Sequence, residues 1–302
     1  MTASFALRLA AAALLSICAL QAQAAITCTL TATSVNLNYV NNQGANANAS
    51  GTITLNCTRL STDPTTQTYW VSINYGSRTG LPRRVFRHGA TDTFNANRLD
   101  VNIFKNGTTT DWGNTAGGAT RVSGTLNFGA ALSASVPLTY DFRVPSGQTG
   151  NNAGIFDELF TTSLQLTTAG AVVATATFAP TVSITAQCFV GQVASGNPAP
   201  GAVNPSTLTL NYTSFALVPQ TATMNFTVDC TNSTTYTLAL SPTAGTLLGL
   251  SYTLALSSSG ATGNGFAQPY TVTGTIAAGQ AGTCATGACS ATQTGVTVTI
   301  TY

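Results

Sequence analysis

The sequence predicts an all-β chain folded as two antiparallel β-sandwiches in tandem, and three observations carry that prediction. Past residue 24 no apolar pattern with a 3.6-residue period survives. Short runs of alternating apolar and polar residues, separated by Gly, Asn, Ser and Pro, recur instead along the whole chain. A cysteine opens each half, and a second cysteine ends a strand-like run some thirty to forty residues later, at Ile53–Cys57 and again at Met224–Cys230.

Residues 1–24 read as a secretory signal. Arg8 precedes an apolar run from Leu9 to Leu20, and Ala22-Gln23-Ala24 is a small-x-small cleavage site. The run is too short to span a bilayer. Cys18 does not mark a lipoprotein, because Ile17 precedes it where a small residue is needed. Cleavage there leaves Cys28, Cys57, Cys188, Cys230, Cys284 and Cys289. An even number on an exported chain favours disulfides over metal ligation. Cys28 to Cys57 and Cys188 to Cys230 would each close a loop of some tens of residues, and Cys284 to Cys289 a short clasp. A metal site at that clasp lacks further ligands, His88 being the one histidine.

In the first half, residues 25–171, the alternating runs are Gly51–Cys57, Trp70–Tyr75, Leu99–Phe104, Val136–Phe142 and Leu159–Thr167. The longest alternation follows in residues 172–187. Val172, Ala174, Ala176, Phe178, Val182 and Ile184 form an apolar row, with Pro180 in it, opposite a row of mostly Thr and Ser. The second half, residues 188–302, carries Leu208–Tyr212, Met224–Cys230, Tyr236–Leu240, Leu250–Leu256, Tyr270–Ile276 and Val296–Tyr302. Each half has the size of an ordinary domain.

Charge is sparse, at 6% of residues, and Asp229 is the one charged side chain after Glu158. The net charge of +2 is too small to imply nucleic acid. Catalysis finds little support. His88 is the one available base; paired carboxylates are possible in principle among Asp92, Asp100, Asp111, Asp141, Asp157 and Glu158, but adjacent Asp157 and Glu158 would point to opposite faces of a strand and cannot jointly flank a substrate. No catalytic residue, metal site or cofactor is expected.

Several landmarks resemble the spore coat protein U domain, the module of archaic (Csu-type) chaperone–usher pilus subunits. In the first half these are Cys28, Cys57, the segment Asn102–Gly113 ending in Trp112-Gly113, and Gly154-Ile155-Phe156-Asp157. In the second half they are Thr175–Cys188, Cys230 and the terminal Val296–Tyr302. The second half departs from the family in lacking Trp-Gly and in carrying Thr294-Gly295 beside the Cys284–Cys289 clasp.

The resemblance implies immunoglobulin-like sandwiches, the C-terminal one lacking its last strand. It implies a groove filled first by a periplasmic chaperone and then, at an outer-membrane usher, by the N-terminal strand of a shaft pilin. Such a donated strand gains ladder hydrogen bonds and side-chain pockets. Four or five buried anchors at roughly 1.5–3 kcal/mol each would rival the stability of a whole domain. Here the donor-like segment Val172–Ala186 lies between the halves, whether as a true donor strand or as an ordinary last strand with a linker; either way the first sandwich is completed from within the chain. Ala25, Ile26 and Thr27 alone precede Cys28 in the expected mature chain. The expected role is therefore that of a tip adhesin at the cell surface, accepting a strand along Val296, Val298, Ile300 and Tyr302. A non-adhesive structural or coat subunit is the alternative. An adhesive surface for an abiotic or host target is sought in Leu81, Arg83, Arg84, Val85, Phe86 and Arg87, beside Arg78 and His88. The plainer reading of that segment is a solvated hairpin turn with Val85 and Phe86 in the core. Ile155-Phe156 reads as a strand start, and Trp112 as packed beside Gly113.

Overall fold

The computed structural model describes residues 26–41, 43–89, 95–113, 120–191, 207–284 and 287–302. The expected signal segment, residues 1–24, lies outside them. All regular structure described is strand, apart from one helical turn at Asn95–Asn97.

Twelve strands precede Cys188: β1 (Thr27–Ala32), β2 (Asn36–Tyr39), β3 (Ala47–Thr58), β4 (Thr66–Ile73), β5 (Arg83–Arg87), β6 (Arg98–Lys105), β7 (Val122–Asn127), β8 (Ser133–Val144), β9 (Gly154–Asp157), β10 (Phe160–Gln165), β11 (Val172–Phe178) and β12 (Thr181–Ile184). They form an eight-stranded sheet, ordered β1-β3-β8-β6-β5-β9-β12-β2, and a four-stranded sheet, ordered β11-β10-β4-β7. All pairs are antiparallel except β12 with β2, which run parallel. Period-two alternation builds the core between the sheets. Ile53 and Leu55 of β3, Leu99, Val101 and Ile103 of β6, Tyr140 and Phe142 of β8, and Phe160 and Leu164 of β10 are all fully buried. Trp112 lies among them and donates its indole N–H to the Val71 carbonyl at 2.9 Å.

Eight strands follow: β13 (Cys188–Gly191), β14 (Gln220–Cys230), β15 (Thr235–Ser241), β16 (Ala244–Leu247), β17 (Leu250–Leu256), β18 (Gly260–Thr262), β19 (Ala267–Ile276) and β20 (Thr297–Thr301). Their sheets are ordered β13-β14-β19-β17-β16 and β18-β15-β20. The first order matches β1-β3-β8-β6-β5, and the second, read backwards, matches β10-β4-β7. The halves are therefore copies of one module. The correspondence extends to single side chains. In the first half Gln148 donates its backbone N–H to the Tyr39 hydroxyl at 2.9 Å, while its side chain bonds the N–H and carbonyl of Asp100 at 2.8 and 2.9 Å. In the second, Gln280 donates to the Tyr212 hydroxyl at 2.8 Å and bonds Ser251 in the same way at 2.7 and 2.9 Å.

Disulfides join β1 to β3 through Cys28–Cys57 and β13 to β14 through Cys188–Cys230, and Cys284–Cys289 closes a local loop. The cores are unequal. Among the described residues the first half buries 26 apolar side chains, with 12 partly buried ones against them. The second buries 10, with 13 partly buried.

Two sequence expectations need correction. Residues 172–186 are not one strand. They break at Ala179-Pro180 into β11 and β12, which belong to different sheets. Proline has no N–H for a ladder, and the break lets the segment cross from one sheet to the other. Residues 208–212 are not a strand either. Leu208, Leu210 and Tyr212 still face the core alternately, but the segment has no ladder partner among the described strands.

Candidate strand-acceptor site

The first half shows what a completed module contains. β11 pairs with β10 from Phe160 opposite Phe178 to Gln165 opposite Val172, with a bulge at Leu164/Gln165. Phe178 is buried between Tyr140 and Phe160, ring centroids 4.9 and 5.8 Å away. After Pro180 the chain enters the other sheet. There β12 lies between β9 and β2, with Val182 opposite Phe156 and Leu37, and Ile184 opposite Gly154 and Tyr39. The Ala179 N–H donates to Ser34 Oγ at 3.0 Å and the Thr181 N–H to the Val35 carbonyl at 2.9 Å, so the crossing is hydrogen-bonded too. Residues 172–184 thus lace both sheets together along one side of the sandwich.

In the second half no strand among the described residues takes the places of β11 and β12. β20 pairs with β15, from Thr237 opposite Thr301 to Ser241 opposite Thr297, and ends its sheet. Tyr69 and Tyr236, both buried, sit in the inward rows of β4 and β15. Aligning them matches Leu164 with Ile300, Thr162 with Val298 and Phe160 with Val296. The three first-half residues are fully buried under β11. Val298 and Ile300 are half-buried, and Val296 is 38% exposed. On the other side of the slot the counterpart of β2 is Leu210-Asn211-Tyr212, which repeats Leu37-Asn38-Tyr39. β2 is a strand through its pairing with β12. Without that partner the repeat stays extended and unpaired.

The slot is apolar and uncharged, so ladder bonds and packing would hold an occupant. Burial pushes the Tyr236 phenol well above its ordinary value, with a smaller push from the Tyr270 hydroxyl 2.6 Å away. Burial also raises the Tyr39 phenol, partly offset by the Gln148 N–H. Both phenols stay neutral at ordinary pH.

Of the residues expected to act as donor, Phe178, Val182 and Ile184 are buried, Ala174 and Ala176 half-buried, and Val172 is 52% exposed at the bulge. Of the expected acceptor edge, Val298 and Ile300 line the slot within β20, Val296 flanks it, and Tyr302 lies beyond the strand, 60% exposed. The segment proposed as an adhesive loop is not a loop. Arg83–Arg87 is β5, paired with β6 and β9. Arg83 is fully buried beside Asp111 and donates to the carbonyls of Asn74, Ile73 and Trp112. Val85 is in the core, Arg84 holds Asp100 at 2.7 Å, and Phe86 is half-buried. Leu81 and Arg87 are exposed. The two ends of that run remain at the surface while its centre is structural, as period-two alternation requires. Phe156 is buried in β9, whereas Ile155 is 54% exposed. Asp157 and Glu158 diverge, the first accepting from His88 and the second from Ser77.

The sequence reading missed the Leu37/Leu210 wall and the paired glutamines. Their signals were the repeated Leu-Asn-Tyr and the repeated Gly-Gln-x-Gly at Gly147–Gly150 and Gly279–Gly282.

This geometry defines a two-module β-sandwich protein whose first module is closed by β11 and β12 and whose second, among the described residues, has no strand in either place. Residues 14–163 match the family model described as Spore Coat Protein U domain. The family match thus lies within the first half of the chain. No curated protein sequence matches the chain significantly. Among solved structures, a chain of the CsuC–CsuE chaperone–tip adhesion subunit complex from archaic chaperone–usher Csu pili of Acinetobacter baumannii is 12% identical. That match covers 91% of this chain and all of that one, with a TM-score of 0.43. The adhesive subunit CfaE of the CFA/I fimbria of enterotoxigenic Escherichia coli is 11% identical, covering 82% of this chain and 87% of that one, with a TM-score of 0.28. The CupB6 tip adhesin of Pseudomonas aeruginosa is 10% identical, covering 54% and 43%, with a TM-score of 0.34.

Proposed function

We propose that this chain is a subunit of a chaperone–usher pilus, held in the fibre by a strand that another subunit donates to its second module. One observation carries the reading: among the described residues the second half reproduces the orders β1-β3-β8-β6-β5 and β10-β4-β7 but has no strand at the places of β11 and β12, nor at those of their neighbours β9 and β2. The donor-type segment of this chain is spent inside the chain itself. A molecule that uses its donor strand internally and leaves a slot open belongs at the end of a polymer. That supports a tip position, with the first module outermost and available for attachment and biofilm formation. A periplasmic chaperone would shield the open slot before an outer-membrane usher exchanges it for the shaft subunit's strand. The domain limits follow: 25–171 with its completing strands in 172–184, a short joint to residue 187, and 188–302.

A peptide copying residues 172–186 tests the slot. Added in excess to the full chain, it should raise the melting temperature of the second module by several degrees, as any ligand selective for the folded state does. No binding and no shift would overturn the reading. A second reading, a non-adhesive structural subunit, draws support from the burial of Arg83 and Val85, which removes the centre of the expected gripping loop. Immunogold labelling separates the two: gold at fibre ends supports the tip, and gold along the shaft supports the alternative.

A further inference from the structure

The junction between the two modules is itself a template for the next one. After Ile184 leaves its place opposite Tyr39, a short link brings the chain to Cys188. That link is pinned: the Gln187 N–H donates to Thr231 Oγ1 at 3.1 Å, and the Thr231 N–H returns to the Gln187 carbonyl at 2.9 Å. The second module is therefore held by its first-cysteine end against the end of the first module where Tyr39 and Gln148 lie. Val40 and Asn41 face Gln187, Phe189, Asp229 and Thr231 there. Asn152 bridges to Asn232 and its Oδ1 accepts from Ser233 Oγ at 3.0 Å. Gly150 packs against Gly265, so closely that a Cβ on Gly265 would lie 2.4 Å from the Gly150 Cα.

The corresponding end of the second module is built by the same hydrogen bonds. The Gly147 N–H donates to the Gln43 carbonyl at 3.0 Å, and the Gly279 N–H to the Ala216 carbonyl at 2.9 Å. Alignment of Tyr39 with Tyr212 and Gln43 with Ala216 places Leu217 and Val218 where the first module has Gly44 and Ala45. Two small residues have been replaced by two larger apolar ones. Phe215 is 67% exposed, Leu217 96% and Val218 61%. The loop is fixed in place. The Phe215 N–H donates to the Gln280 carbonyl at 2.8 Å and Ser214 Oγ to the Ala281 carbonyl at 2.7 Å, while Phe215 holds a left-handed backbone with φ of 57°. A bulky residue keeps that conformation where its surroundings impose it.

We infer that the loop carrying Phe215, Leu217 and Val218 is the docking surface for the body of the subunit whose strand fills the open slot. The inference rests on the donated-strand reading. A strand that entered the second slot as residues 172–184 enter the first would leave it opposite Tyr212. A short link would then set its own module down at Thr213 and Ser214, the counterparts of Val40 and Asn41, beside the exposed Phe215, Leu217 and Val218. The partner's surface is the end bearing its first cysteine, and the contact is apolar.

Two probes separate this inference from the slot reading, using the full chain and its Phe215→Ser, Leu217→Ser, Val218→Ser triple variant. The first is the free peptide copying residues 172–186, which carries no module. The second is the fibre sheared from producing cells, from which release of this chain is timed on warming in detergent. Expected are equal peptide affinities for the two proteins, and release of the variant from fibres faster by about tenfold or more, the effect of losing apolar burial at three side chains. A photo-crosslinking amino acid at position 217 should join the strand-donating subunit close to that subunit's first cysteine. Equal peptide binding with equal release rates, or crosslinks elsewhere, would overturn the docking surface and leave the slot standing. Failure of the peptide to bind the unaltered chain would overturn the slot reading itself.

Discussion

Arg83 shows how a charged side chain is accommodated inside a sandwich with so few charges. Its guanidinium is fully buried, pairs with Asp111, donates to three carbonyls and lies 4.8 Å from the centre of the Tyr75 ring. Removing one partner of such a pair leaves the other uncompensated, so Arg83→Ala should cost about 3–5 kcal/mol in denaturant unfolding of the first module. Replacing both, as Arg83→Met with Asp111→Leu, should cost far less. Asp229 behaves differently. It is half-buried at the junction of the modules, and desolvation raises its carboxyl above the ordinary 3.8. A carboxyl whose folded value is raised binds its proton more readily when folded. Its protonation therefore favours the folded state, and stability falls as pH rises from 3.8 through the raised value. Asp229→Asn should flatten that part of the stability–pH profile and raise the melting temperature at neutral pH.

At the scale of elements, β11 and β12 contribute most where Phe178 wedges between Tyr140 and Phe160. Phe178→Ala should cost about 3–5 kcal/mol in the first module while the unfolding of the second stays in place. The alternation that predicted most strands was legible because each is buried on one face, which forces period two. The break at Pro180 was written in the sequence but hidden by its place in the apolar row, which carries the pattern across two strands in different sheets. β5 looked like a surface loop because three of its five residues are arginine. Nothing local says that Arg83 points inward, since its partner Asp111 comes from a distant part of the chain. Likewise Leu208–Tyr212 has the alternation of a strand, but alternation reports burial, and a ladder also needs a neighbour.

The whole molecule is two separate cores joined by a short pinned link. They should unfold in two steps, the second module first, because fewer of its apolar side chains are fully buried. Differential scanning calorimetry of the full chain should show both transitions, with the peptide copying residues 172–186 moving the lower one alone. A single transition, or a shift of both, would contradict the independence of the modules. The duplication was legible in the cysteine spacing. The asymmetry between the copies was legible in part, from the position of residues 172–186. What covers the first slot depends on pairings between distant segments, which only the folded chain displays.

The way residues 172–184 are attached also decides how each module responds to tension. Pulled from its outer end, the first module can shed its closing strands and take them back, because they stay tethered to the same backbone. A strand supplied by another molecule has no such tether once it slides free. On the proposed tip reading, the joint at the second module would be the place where the fibre parts, while the first module could yield and recover without letting go.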